Sequence, residues 1–140
     1  TKVTKASVDA RVRDWMRRLN ALYSQLDQWL PDRSNLRVIK EPLNQVIEPL
    51  MSQFKVPPRQ IPTYTILIGK VRIAFVPSAL WIVGANGRVN ITTNRRQHIL
   101  VDVGDETENA SNWQLVIPND RASLKPFDKV AFDALLEEGR

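Results

Sequence analysis

The sequence predicts an α+β fold: a long N-terminal amphipathic helix packed on an antiparallel β-meander of about five strands, closed by a short C-terminal helix. Three observations carry this expectation. Apolar residues from Val8 to Trp29 recur at alternating spacings of four and three, the period of one helical face. From Tyr64 to Ile117 the pattern switches to alternation in twos, broken by Gly, Pro and Asn, as strands joined by tight turns require. The length, 140 residues, suits one domain of common size. The expected organisation is a single domain: helix over 1–33, an irregular and helical connector over 34–62, sheet over 63–118, and a helix over 119–140.

The first helix is expected over residues 7–30. Val8, Val12, Trp15, Leu19, Leu22, Leu26 and Trp29 form the stripe, widened by Met16, Tyr23 and Leu30. Thr4 or Ser7 supplies a capping hydroxyl, and Asp9 suits the first turn. Pro31 ends the helix near Leu30, because proline lacks the N–H and disfavours helical geometry before it. Two uses fit the stripe: half of the chain's own core, or in part a coiled-coil seam with a second copy through Val12, Trp15, Leu19, Leu22 and Leu26.

In the connector, Leu36 to Glu41 suits a short strand ahead of Pro42. Leu43 to Phe54 has a helical spacing, with a kink or break expected at Pro49. Lys55 to Pro62 contains three prolines and reads as a stiff extended link. In the meander, Tyr64 to Ile68 is a strand, Gly69-Lys70 a tight turn, and Val71 to Phe75 a second strand that Pro77-Ser78 breaks. Ala79 to Val83 fits a strand buried on both faces. Asn86-Gly87 signals a hairpin turn. Arg88 to Thr93 places Val89 and Ile91 inward. Gln97 to Val103 places Ile99, Val101 and Val103 inward, and so turns His98 outward near Asp102. Trp113, Leu115 and Ile117 face the core from the last strand, which Pro118-Asn119 ends. Phe127 to Glu137 forms the final helix, with Pro126 in its first turn.

Composition excludes several chemistries. The chain has no cysteine, so disulfides, thiolate metal sites and a cysteine nucleophile are out. No apolar signal core stands at Thr1 to Lys5. The longest apolar stretch, Ala79 to Gly84, is far below the ~20 residues of a membrane helix. These features suit a cytoplasmic protein with no membrane partner. The sequons Asn90-Ile91-Thr92 and Asn109-Ala110-Ser111 matter only in a secreted chain.

The net charge is +5, unevenly spread. Residues 34–100 hold nine Lys/Arg against two Asp/Glu, whereas residues 101–140 hold four against nine. Such asymmetry marks a nucleic-acid surface or internal pairing of acidic and basic parts. Strand parity gathers Lys70, Arg72, Arg88, Asn90, Thr92 and His98 on one polar face, flanked by Arg95 and Arg96 in a turn. That arrangement suits backbone-tracking nucleic-acid binding, although exposed aromatic rings for base stacking are scarce.

No catalytic, cofactor or metal signature appears. His98 is the only histidine, and no serine sits in a Gly-x-Ser-x-Gly setting. Asp102, Asp105, Glu106 and Glu108 would attract a hard cation, but match no calcium loop. Gly104 stands where a strand-carboxylate nuclease wants lysine. Gly84 to Arg88 lacks the Lys-Ser/Thr ending and the strand–helix context of a phosphate loop. The expected function is therefore a non-catalytic protein-interaction module with a protein partner or itself as partner, self-associating through the helix stripe. A nucleic-acid-binding domain is the alternative, and a metal-dependent hydrolase or nuclease the weaker one. No catalytic residue, metal ligand or cofactor is assigned.

Overall fold

Thr4 opens the first helix with a reciprocal cap. Its Oγ1 accepts from the Ser7 N–H at 3.1 Å, and the Ser7 Oγ accepts from the Thr4 N–H at 2.8 Å, so two otherwise orphaned donors are satisfied. Helix α1 then runs over Lys5–Trp29 until Pro31 forbids a further turn. The computed structural model describes residues 3–79, 85–105, 110–117 and 119–139.

After α1 come β1 (Leu36–Ile39), β2 (Leu43–Val46), α2 (Pro49–Gln53), β3 (Arg59–Pro62), β4 (Tyr64–Ile68), β5 (Val71–Ala79), β6 (Arg88–Thr92), β7 (Gln97–Asp102), β8 (Trp113–Ile117), β9 (Asp120–Pro126) and α3 (Lys129–Glu138). Seven strands form one antiparallel sheet in the order β1-β4-β5-β6-β7-β8-β9, and β2 and β3 form a separate pair. The fold is α+β with a long N-terminal helix, an antiparallel sheet and a short C-terminal helix. No helix among the described residues is long and apolar enough to cross a membrane.

One face of the large sheet carries the core. Tyr64, Ile66, Ile73, Phe75, Val89, Ile91 and Leu100 are fully buried there, against Val12, Leu19 and Leu26 of α1 and Phe132 of α3. Rings knit the helices to this face: Trp15 lies 5.8 Å from Trp113, and Trp29 lies 5.6 Å from Phe127, spacings that favour aromatic pairs.

Several expectations need correction. Leu43 to Phe54 is not one helix. Its first four residues pair with β3, and Pro49 begins a short helix at N1, the position that needs no N–H. The 55–62 link is therefore half strand. Pro77 does not end β5; the strand continues to Ala79 with a register shift between Pro77 and Ala79, the irregularity that tolerates proline in a ladder. Residues 120–126 are a strand, so Pro126 ends β9. Helix α3 starts instead at Lys129, capped by Asp128, whose carboxylate accepts from the Ala131 N–H at 2.9 Å. The strand expected over Ala79 to Val83 lies outside the described residues beyond Ala79.

Asn86-Gly87 is not an exposed hairpin tip. Asn86 is 4% exposed and exchanges backbone hydrogen bonds with β7: its N–H donates to the Asp102 carbonyl, and the Asp102 N–H donates to the Gly87 carbonyl. A Cβ on Gly87 would lie 2.4 Å from Cζ3 of Trp15. Gly87→Ala is therefore expected to lose about 1–3 kcal/mol through overpacking. Urea unfolding measures the loss, and a Trp15→Phe background, with a smaller ring, should recover much of it.

Candidate interaction surface

Alternate side chains of a strand take opposite faces, so the core set fixes the other set. Cross-strand register places four rows on the outer face. Arg37, Leu67 and Arg72 stand opposite one another across β1, β4 and β5. Ala74, Thr92 and Gln97 form a second row, and Val76, Asn90 and Ile99 a third. Arg88, Val101 and Gln114 form the fourth. In line with the third row, Val116 faces Leu124, which is 40% exposed.

This face is apolar at its centre and basic at its ends. Ile39, Leu67, Val76, Ile99 and Val116 are half-buried, and none belongs to the core cluster. The buried apolar residues of α1, α2 and α3 all join the cluster on the inner face. Arg37, Arg72 and Arg88 are the charged residues at outward strand positions of β1 and β4 to β8. No carboxylate occupies any such position. Arg88 Nη2 donates to Ser78 Oγ at 3.2 Å, while its Nε is shielded from solvent without an acceptor among the described residues.

The other basic residues lie in the turns at one end. Lys70 and Arg95 are exposed there. Asn94 ties these turns together, its Oδ1 accepting from the Arg72 N–H at 2.8 Å and its Nδ2 donating to the Lys70 carbonyl at 2.7 Å. Arg96 leaves the group, with its Nε 3.6 Å from Glu138 of α3. So Arg72, Arg88 and Asn90 share the outer face, Lys70 and Arg95 border it, and Arg96 turns toward the acidic C-terminal helix.

His98 and Asp102 lie on the inner face, opposite to the orientation read from sequence parity. Pairing of β6 with β7 sets His98 against Ile91 and Leu100 against Val89, so even-numbered residues of β7 point to the core. His98 Nε2 lies 3.0 Å from both carboxylate oxygens of Glu138. Burial works against the Glu138 anion, yet the Thr93 hydroxyl, His98 and Arg96 outweigh it and hold this carboxyl below its ordinary range.

Asp102 is 0% exposed and meets the equally buried Arg18 of α1 at 3.0 Å. Burial pushes the Asp102 carboxyl upward. The N–H groups of Asn112 and Gly104, the Ser111 hydroxyl and the Arg18 guanidinium overcome that and hold it low. Arg18 also donates to Asp14 at 2.7 Å, to the Ala110 carbonyl at 3.2 Å and to the Asp105 carbonyl at 2.8 Å. Asp102 is thus a structural anchor. Asp105 lies in the segment that Arg18 holds, and Glu106 and Glu108 lie outside the described residues. Among the described residues no group of three His, Asp or Glu side chains is arranged to hold a metal ion.

The proposed self-association stripe lies in the core. Val12, Trp15, Leu19, Leu22 and Leu26 are each 2% exposed or less, so this chain's own sheet already covers them. Among the described residues, sizeable surface clefts open on the helical side. One, of about 440 Å³, lies between Arg33 and Asp133; another, of about 380 Å³, between Trp29 and Trp113. Neither lies on the outer face of the sheet.

Comparison with protein-family models, curated proteins and solved structures finds no match to this chain.

Proposed function

We propose that this chain is a non-catalytic protein-interaction module, acting in the cytoplasm, that docks a partner on the open outer face of its seven-stranded sheet. The observation that carries this reading is the band of half-buried aliphatic side chains left outside the core cluster. Contiguous exposed apolar surface rimmed by polar groups marks interaction sites, and arginine is enriched in such interfaces. The only histidine and Asp102 are already engaged in helix–sheet contacts, which leaves the hydrolase reading without support.

One observation favours nucleic acid as the second reading: the described outward positions of β1 and β4 to β8 carry arginines and no carboxylates. The aromatics speak against it. Tyr64, Phe75 and Trp113 all pack with the core, so no described ring offers a stacking platform of the kind single strands use.

Because the chain has no cysteine, one introduced cysteine is a unique chemical handle. Thr92→Cys carries a photo-crosslinker to the outer face, and Ala10→Cys carries it to the exposed side of α1. We expect a discrete protein adduct at Thr92→Cys only, suppressed by excess wild-type chain but not by Val76→Glu chain. Equal adducts at both positions, or none at Thr92→Cys, would sink the proposal. An adduct lost on nuclease treatment would transfer the face to nucleic acid.

A further inference from the structure

We infer that the partner presents an acidic amphipathic helix, with carboxylates flanking an aliphatic strip; this inference rests on the outer face being a docking surface. The charge on that face is one-sided across β1 and β4 to β8, since Arg37, Arg72 and Arg88 have no carboxylate beside them at the described outward positions of these strands. No ion pair among the described residues neutralises these three: the bridges that exist join other cations, such as Arg96 with Glu138. A guanidinium fork matches a carboxylate through paired hydrogen bonds, so an acidic surface is the complement.

The arrangement of the arginines narrows the shape. Arg37 and Arg72 stand on one side of the aliphatic band, across Leu67, and Arg88 stands on the other. Arg72 falls level with Asn94, so along β6 the two arginine rows are separated by about 20 Å at ~3.4 Å per residue. A helix about 10–12 Å across fills the band and reaches both rows with flanking carboxylates. A single extended strand, at the ~4.8 Å inter-strand spacing, is too narrow to meet both.

Two other occupants fit worse. A second copy in a two-fold contact would set this patch against itself, bringing arginine to arginine around a shared apolar centre, and like charges facing each other suppress binding. A nucleic-acid strand would find phosphate contacts, but between them only aliphatic, hydroxyl and amide side chains, with no ring among the described residues to stack on.

The test uses the folded full chain and a random library of displayed peptides of about 16 residues, long enough for a helix of about 24 Å. We expect selected peptides to carry more Asp and Glu than Lys and Arg, with aliphatic residues at helical i, i+3 and i+4 spacing. A selected peptide should bind Arg72→Glu/Arg88→Glu at least about tenfold more weakly, or ~1.4 kcal/mol, with far-UV circular dichroism unchanged. Arg37→Glu, on the edge strand, gives the same reading should the double variant not fold. A neutral or basic consensus, affinity indifferent to the arginines, no enriched peptide, or single-stranded RNA displacing the peptide at physiological salt would each overturn the inference. The Thr92→Cys crosslink separates the two failures. An adduct there with a non-acidic consensus leaves the docking face standing and removes only the acidic helix; no adduct removes both.

Discussion

Asp102→Ala is expected to destabilise the chain by about 3–5 kcal/mol, the cost of leaving a buried ionic partner uncompensated. The substitution strips the Arg18 guanidinium, 0% exposed, of one of its two carboxylates. It also orphans the Gly104 and Asn112 N–H groups, which both donate to Asp102 Oδ1 at 2.9 Å. Asp102→Asn separates these losses. An amide oxygen still accepts from the two N–H groups but brings no charge to Arg18, so its cost should be the smaller. Urea unfolding at neutral pH measures both variants against a total stability of about 5–15 kcal/mol for such a domain.

The pH dependence follows from the direction of the Asp102 shift. The folded-state carboxyl is held below its ordinary value, about 4 in an unfolded chain. A depressed carboxyl contributes stability that is present above the unfolded value and is lost as pH falls through the folded value. Wild-type stability should therefore decline in acid, with part of that decline missing in Asp102→Asn. Equal acid slopes, or a cost for Asp102→Ala below about 1 kcal/mol (the range of exposed ion pairs), would mean that Arg18 and Asp102 do not form a buried pair in solution.

The helix and much of the meander were legible because each carries one unopposed period. Helix α1 has a single apolar stripe and a proline stop, and the structure places its ends within two residues of the expected ones. Strand β4 alternates between two glycine- or proline-bounded turns and falls where expected. Strand β7 misled for a physical reason. Both of its faces carry apolar residues, with Ile99 and Val101 outward and Leu100 inward, and the inward set includes His98 and Asp102. Polarity alone assigns those two to solvent. Partners distant in sequence, Arg18 for Asp102 and Glu138 for His98, help them fit inside. The same ambiguity is the signature of the proposed site. A sheet buried on one face and solvated on the other shows clean alternation; here Leu67, Val76, Ile99 and Val116 blur it because the outer face is itself apolar. Strand β9 escaped notice because Asp120 to Pro126 holds a single large aliphatic residue, Leu124, and its pairing with β8 is set by tertiary contact.

Leu19→Glu is expected to unfold the chain, and Leu19→Ala to cost about 3–5 kcal/mol, near the top of the range for buried leucines. The two uses of the helix stripe make opposite forecasts for the charged variant. A seam between copies would yield a folded monomer in place of an oligomer. A core position would yield loss of the cooperative unfolding transition. Leu19 is 0% exposed in the single chain, as are Val12 before it and Leu26 after it, and a carboxylate there would be buried inside the hydrophobic cluster, a costly place for a charge. Ser24→Glu, on the exposed side of the same helix, supplies the control and should stay within about 0.5 kcal/mol of wild type. Sedimentation and circular dichroism on the two charged variants decide between the forecasts. A folded Leu19→Glu monomer would return the stripe to self-association and place the helix away from the sheet. An unfolded Leu19→Glu beside a native Ser24→Glu fixes the stripe in the core, where it cannot also serve a second copy.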